Sequence, residues 1–405
     1  MSLQQQAIIA VNGGSSSLKF ALYPCRGRII EAATLSGAVE GLEPGDTPRL
    51  TLKTGGAQLQ QPLASGAGDG FDRALAALRA VLTRHAGDAE VVAIAHRIVH
   101  GGEDYPASVL LDDAALAYLR SLAPLAPLHQ PHNLDAVLAF RRAYPALPQV
   151  GCFDTSFHAA MPALEQSFAL PRELLASGIR RYGFHGLSYR YVAARLAERS
   201  LRSNGRVLMA HLGNGASVCA MRAGASVATS MGFSALDGLM MGTRCGTLDA
   251  GVLLHLLREG WSTDRIEATL YRQSGLLGVS GISADMRALR ASPHPHAAFA
   301  IALFEHRLVR ECGALTAVLG GLDVLAFTGG IGEHDAALRL AACEQLGYLG
   351  VRIDPARNRE GDGSRIMPLH AADSSAEIWL VPTDEGRVAA GDAAALLAGA
   401  RPDAA

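Results

Sequence analysis

Two stretches of this 405-residue chain, about 200 residues apart, spell the same local structure. In the first, residues 7–11 are an apolar run, Asn12-Gly13-Gly14-Ser15-Ser16-Ser17 is a polar cluster, and residues 18–22 alternate in character. In the second, the apolar run 206–211 leads through a Gly/Asn/Ser cluster at 213–217 into the apolar run 218–221. Apolar run, turn-forming tip and apolar run read as a β-hairpin. Strand and helix patterns follow each copy. Apolar residues at Phe71, Leu75, Leu78 and Leu82 predict a helix over 71–86, with Gly87 placed to end it. Buried strands are expected at 91–99 and 148–153, and helices at 112–122 and 133–144. Residues 377–382 form the last expected strand, before an alanine-rich helix from Val388. The echo constrains the chain to two α/β domains of common architecture, with the default ligand site in the cleft between them. The first domain is expected at 1–153 and the second at 154–387, with a terminal helix (about 388–405) folding back on the first.

Composition excludes several function classes. Thirty-six basic residues face 38 acidic ones, so there is no basic excess for nucleic acid. Hydrophobic residues are 49% and charged residues 18%, which suits large cores rather than disorder. No apolar run approaches the roughly 18 residues of a membrane span, and the run 7–11 is too short for a signal peptide. Six scattered cysteines without CxxC spacing read as reduced thiols of a cytoplasmic protein.

Polar glycine-rich turns cradle phosphate, because glycine permits close backbone approach and consecutive N–H groups form an anion nest. Three occur, at 12–17, 213–217 and 329–333. The first is followed by Lys19, one of only two lysines in the chain. Neither lysine follows a glycine, so no P-loop exists, and no strand–GxGxxG–helix unit is present. Polar groups also cluster at expected strand ends: Arg97 beyond one strand, Asp154 at another, His185 just before a helix. Arg244 stands in Gly242-Thr243-Arg244-Cys245-Gly246. A guanidinium flanked by glycines has little structural purpose, so Arg244 is the strongest single candidate. His129 and His132 are expected to fix a loop, His294 and His296 to lie on the surface, and Met240-Met241 to pack. No metal-ligand spacing such as HExxH occurs. These residues imply a polyphosphate-binding protein that brings arginines to an anionic partner, hence phosphoryl transfer.

The strings NGGSSSLKF, HRIVHGGE, PLHQPHNL, FDTSFH, RRYGFHGLSYRYV, HLGNGASV, TSMGFSALDGLMMGTRCG, SGLLGVSGISADMR, FTGGIGE and PTDEGRVAAGDA, in that order, resemble the acetokinase family. The resemblance implies two RNase-H-like α/β domains of the acetate/sugar kinase–heat-shock–actin type, with mixed sheets flanked by helices. It implies ATP, Mg²⁺ (Mn²⁺ as a substitute), a homodimer, and reversible phosphoryl transfer between ATP and acetate, with propionate or butyrate as the alternative acceptor. It assigns Asn12 and Glu385 to the metal, and Ser15, Ser17 and Lys19 to the triphosphate. Arg97 is assigned to the substrate carboxylate, with Val99, Leu128, Phe184 and Ala235 lining the acyl pocket. Asp154, His185 and Arg244 become catalytic. His211, Leu212, Gly213, Asn214, Gly215, Asp285, Met286, Arg287, Gly330, Ile331, Gly332, Glu333 and His334 resemble the nucleotide-binding stretches.

A carboxylate acceptor is already ionised, with a pKa of about 4–5, and needs no base. The obstacle is repulsion between two anions, so charge neutralisation and positioning should dominate. Asp154 is therefore expected to orient Arg244 or His185, or to hold a metal-bound water, rather than to move a proton. The chain departs from the family pattern at Ala235 (usually proline), His334 (asparagine), Thr247 and Ala250 (aspartate and proline), and Gly386 (a second acid after Glu385).

Overall fold

The first hairpin forms because its two apolar runs pair along their whole length. In the computed structural model, which describes residues 5–14, 16–42, 46–63, 70–85, 89–127 and 129–399, β1 (Gln6–Gly13) lies antiparallel to β2 (Ser17–Arg26), with Asn12 opposite Lys19. Strand β3 (Leu35–Glu40) adds antiparallel to β2. Strand β4 (Glu90–Ile98) runs parallel to β1, and β5 (Gln149–Phe153) parallel to β4. The order β3-β2-β1-β4-β5 is extended past β3 by the hairpin Arg49–Thr54/Ala57–Pro62, whose first strand buries Leu50 and Leu52 and whose second is exposed. All five residues of β5 are buried, as expected of a parallel strand covered on both faces.

The second hairpin repeats the plan. Strand β6 (Arg206–Leu212) pairs antiparallel with β7 (Ala216–Arg222), and β7 with β8 (Ala225–Thr229). Strand β9 (Val324–Thr328) runs parallel to β6, and β10 (Glu377–Leu380) parallel to β9. The order β8-β7-β6-β9-β10 matches the first sheet strand for strand and sense for sense.

Two compact units result: Met1–Ala159 with Asp384–Ala404, and Ala160–Thr383. In the first, the helix Gly70–His85 seats Leu75, Leu78 and Leu82 in one cluster with Ile9, Leu22 and Phe140. The C-terminal helix Glu385–Leu397 packs on β1 and β4. In the second, the long helix Pro295–Leu319 buries Phe304, Leu308 and Leu315 against β6 and β7. No helix among the described residues is long and apolar enough to cross a membrane.

Local chemistry explains where elements differ from expectation. The helix expected at 133 starts at Gln130, because Pro131 sits in its first turn, where the missing N–H costs nothing. His129 and His132 therefore sit at a helix start, not in a loop. The C-terminal helix begins at Glu385 rather than Val388, because the Asp384 side chain accepts from the Arg387 N–H at 3.1 Å. The glycine cluster at 329–333 is helical, Gly329–His334, and not a plain turn. Met240 and Met241 are buried as expected, and His294 is exposed and caps the helix Pro295–Leu319. Gly87, Ser15 and Leu128 lie outside the described residues.

Two histidines in the first unit are sealed from water. His96 meets the Gln149 carboxamide oxygen through Nε2 at 2.7 Å and sets its ring edge-on to Phe140. His100 accepts the Gly102 N–H at 2.9 Å. Burial pushes both pKa values down to about 4. In the unfolded chain they return to about 6.5. Between those values only the unfolded chain takes up protons, so the contribution is complete above pH 6.5 and is lost as pH falls toward 4. It amounts to the order of 3 kcal/mol per ring. Urea midpoints should therefore fall steadily from pH 7 to pH 5; a flat profile would show that the rings titrate in the folded protein as they do in the unfolded chain.

Candidate active site

Polar side chains of the first unit gather at the ends of the central strands. Arg97, the penultimate residue of β4, and Asp154, just past β5, face each other because Arg97 is in register with Cys152. Asp154 is 1% exposed and grips the guanidinium in a two-point pair, one arm being Nε–Oδ1 at 3.1 Å and the other joining Nη2 to Oδ2. The remaining nitrogen donates to Asn12 Oδ1 at 3.3 Å, and Glu385 stands 3.8 Å from Nε. Burial alone would lower the Arg97 pKa, but the charges of Asp154 and Glu385 and the Asp154 hydrogen bond outweigh it and raise the value. Asn12, Lys19, Arg97 and Glu385 line one cavity of about 190 Å³. Val99 is anchored alongside: its N–H donates to Asn133 Oδ1 at 2.9 Å, and Asn133 Nδ2 donates to the Gly13 carbonyl at 2.5 Å. Asp154 was expected to orient Arg244 or His185; its bidentate partner is Arg97.

In the second unit, His185 precedes the helix Gly186–Ala197 in a left-handed conformation (φ 60°, ψ 22°). That costs on the order of 1–3 kcal/mol for a non-glycine residue. Its side chain does not cap the helix. Instead Nδ1 meets Ser217 Oγ on β7 at 2.8 Å, and Ser217 is held by the Tyr189 hydroxyl at 2.5 Å. The ring stacks on His211 of β6, with centroids 4.2 Å apart. His211 is fixed by Ser188 Oγ at 2.8 Å. Arg244 reaches the same place. A Cβ on Gly215 would lie 3.2 Å from His185 Nε2 and 3.7 Å from Arg244 Nη2. Arg244 Nη1 donates to the Ala235 carbonyl at 2.8 Å. The arginine loop itself rests on the start of the helix Gly275–Ser280, where the Ser274, Leu276 and Leu277 N–H groups donate to the carbonyls of Thr243, Met241 and Gly242.

Beside this point opens a cavity of about 850 Å³, within the range of small-molecule sites. Of the expected nucleotide residues, Gly213, Asn214, Asp285, Met286, Arg287, Gly330, Ile331 and His334 line it. Gly329 lets its helix come close, since a Cβ there would sit 2.8 Å from the Leu212 carbonyl and φ is +76°. The others serve the frame. His211 supports His185, Leu212 is fully buried, and Glu333 Oε1 accepts the N–H groups of Gly329 (2.9 Å) and Thr383 (3.0 Å). Gly332 offers its carbonyl to Arg339.

Sequence reading missed several supports. Arg290 and Asp335 line the large cavity and pair at 3.0 Å. Arg339, fully buried, donates only to oxygens of Asn358 and to the carbonyls of Gly332, Glu333 and Gly361. Burial lowers its pKa. Of the departures, Thr247 donates to Asp237 at 2.9 Å, Ala250 opens a helix capped by Asp249, and His334 meets the Asp362 carbonyl through Nδ1 at 2.6 Å. Phe184 is buried. No three acidic, histidine or cysteine side chains converge on a metal site among the described residues. Asn12 and Glu385 do offer hard oxygen donors at one cavity. That suits Mg²⁺, which takes one or two protein oxygens and fills its shell with phosphate and water.

Two sheets of one strand order, each opening on a hairpin with a polar tip, define an RNase-H-like α/β fold. Comparison narrows the class: the acetokinase family model matches residues 7–391, and the chain belongs to that family. It is 47% identical over 382 residues to an acetate kinase of Rhodopseudomonas palustris, covering 93% of this chain and 95% of that protein. It is 44% identical over 406 residues to an acetate kinase of Methylocella silvestris, covering 97% and 98%. Among solved structures, a Francisella tularensis propionate kinase superposes with a TM-score of 0.87 at 34% identity, covering 96% and 98%. Porphyromonas gingivalis acetate kinase superposes with 0.85 at 35% identity, covering 97% and 100%.

Gly215 supplies a direct check on the second-unit site. In Gly215→Ala the new methyl occupies the point shared by His185 and Arg244, so kcat should drop about tenfold or more, with the melting temperature nearly unchanged. Full turnover in that variant would place the transferring group elsewhere.

Proposed function

We propose that this chain is a cytoplasmic, dimeric acetate kinase that moves the γ-phosphoryl group of ATP reversibly onto acetate, giving acetyl phosphate and ADP. The observation that carries the reading is the meeting of His185 and Arg244 over Gly215, next to a nucleotide-sized cavity in the same unit. A carboxylate oxygen attacks the γ-phosphorus, the bond to the bridging oxygen breaks, and ADP leaves with the electron pair. No proton need move, because the acceptor is ionised. His185 and Arg244 take up charge on the phosphoryl oxygens. Arg97 pairs with the acetate carboxylate, and Val99 and Phe184 give the methyl group apolar surroundings. Asp154 acts by holding Arg97. Its two-point grip fixes the guanidinium plane. Asn12 and Glu385 would hold Mg²⁺ carried in by the nucleotide, which supplies further neutralisation of phosphate charge. Lys19, opposite Asn12 in the hairpin, supplies a further positive charge for the triphosphate.

The acceptor has one competitor. Ala235 offers a smaller side chain than proline, which favours propionate. Incubation with Mg-ATP, hydroxylamine and acetate, propionate or butyrate in parallel should yield acyl hydroxamate, most with acetate. No hydroxamate from any acid would end the reading, and a propionate excess would turn it toward a propionate kinase. In the same assay Asp154→Asn should lose at least about a hundredfold in kcat, as removal of one partner of a buried pair costs about 3–5 kcal/mol. Its nucleotide KM should stay close to that of the parent; undiminished turnover would remove the orienting role.

Dimerisation is supported by the helix Ala250–Arg258, none of whose residues is buried. Leu248, Val252, Leu254 and Leu257 are 38–53% exposed on and beside it. An apolar surface of that kind seeks a partner, and a second copy of the chain supplies a matching face. Leu254→Glu should halve the mass seen in sedimentation; a parent protein that sediments as a monomer would refute the assignment.

A further inference from the structure

The first turn of the C-terminal helix is fastened by a residue from the opposite end of the chain. Tyr23, on β2, is 3% exposed, and its hydroxyl donates to Asp384 Oδ1 at 2.5 Å. That same carboxylate oxygen caps the helix by accepting the Arg387 N–H at 3.1 Å. Glu385 follows immediately and stands 3.8 Å from Arg97. The ring of Tyr23 fits only because residue 386 has no side chain. A Cβ there would lie 2.5 Å from the tyrosine oxygen and 3.1 Å from Cε2 and Cζ. Tyr23, Glu385 and Gly386 line one cavity together with Asn12 and Lys19.

Asp384 has a short side chain, so moving it moves the backbone that carries Glu385. Tyr23 therefore acts on Glu385 through one hydrogen bond and one cap, without reaching the reacting atoms. We propose that Tyr23 and Gly386 form a matched pair that aims Glu385, making Tyr23 a positioning residue for divalent-metal nucleotide. The inference rests on the acetate kinase reading, in which Glu385 helps to hold the metal. Its chemistry is that of an outer-shell support: a neutral hydroxyl orders one carboxylate, and that order is passed to the neighbouring carboxylate.

The test is a double-mutant cycle with two readouts. Tyr23→Phe keeps the ring and removes the hydrogen bond. It should raise the Mg²⁺ concentration for half-maximal rate by about tenfold. It should also weaken Mn²⁺ binding to the protein–ADP complex, followed by electron paramagnetic resonance, by a similar factor. Turnover at saturating Mg²⁺ and the melting temperature should stay close to those of the parent. Gly386→Ala should mimic this in the parent and cost much less in a Tyr23→Leu background, where the ring is gone; such coupling is the signature of contact. Unchanged Mn²⁺ binding in Tyr23→Phe, or additive effects of the two substitutions, would overturn the pairing. Parallel loss of turnover, metal binding and melting temperature would also overturn it, by reducing Tyr23 to packing. Acyl phosphate formation by the parent protein is scored separately, so failure of the pairing leaves the reading of the reaction standing.

Discussion

A buried guanidinium must be neutralised before it can be useful, and the first unit is arranged around that requirement. Arg97 sits at the end of a central strand, where burial alone would lower its pKa and leave a costly unpaired charge. Asp154 prevents this with a two-point pair, and Asn12 and Glu385 complete the surroundings. These partners come from β1, from the turn after β5, and from the C-terminal helix. Only a sheet of order β2-β1-β4-β5, with that helix on its face, brings them together. Charge satisfaction and topology are therefore one constraint. The sheet order serves the arginine by bringing its partners to one strand end.

The second unit solves a different problem with the same plan. There an imidazole and a guanidinium approach a shared point at Gly215. His185 is kept in a strained backbone conformation by hydrogen bonding to Ser217 and by stacking on His211. Arg244 is carried on a loop whose carbonyls accept N–H groups from the start of the helix Gly275–Ser280, and its guanidinium donates to the Ala235 carbonyl. A preorganised cation is what a transferring phosphoryl group needs.

Much of this was legible in the chain itself. Both hairpins could be read because apolar runs and turn residues are local signals, and their repetition disclosed the duplicated plan. Arg244 stood out through its glycine neighbours, and the nucleotide stretches through ordered motifs. Other features were not legible. Spacing cannot say which cations a buried carboxylate faces, so the pair between Asp154 and Arg97 was not anticipated. The left-handed backbone of His185 has no signature beyond the glycines around it. Tyr23 and Arg339 look like ordinary members of apolar elements. Their meaning arises from partners 361 positions away in one case and from carbonyls up to 22 positions away in the other.

Arg339 has a consequence for anyone who recombines this enzyme with a relative. Its guanidinium staples the carbonyls of Gly332 and Glu333 to Asn358 and Gly361, with no carboxylate in the set. The 30-residue stretch from 332 to 361 is thus tied shut by one side chain. It behaves as a cassette: a chimera whose crossover falls inside it would separate the staple from its anchors and strand a cation among carbonyls that no longer match. Crossovers placed outside those limits would transplant the nucleotide-side turn intact.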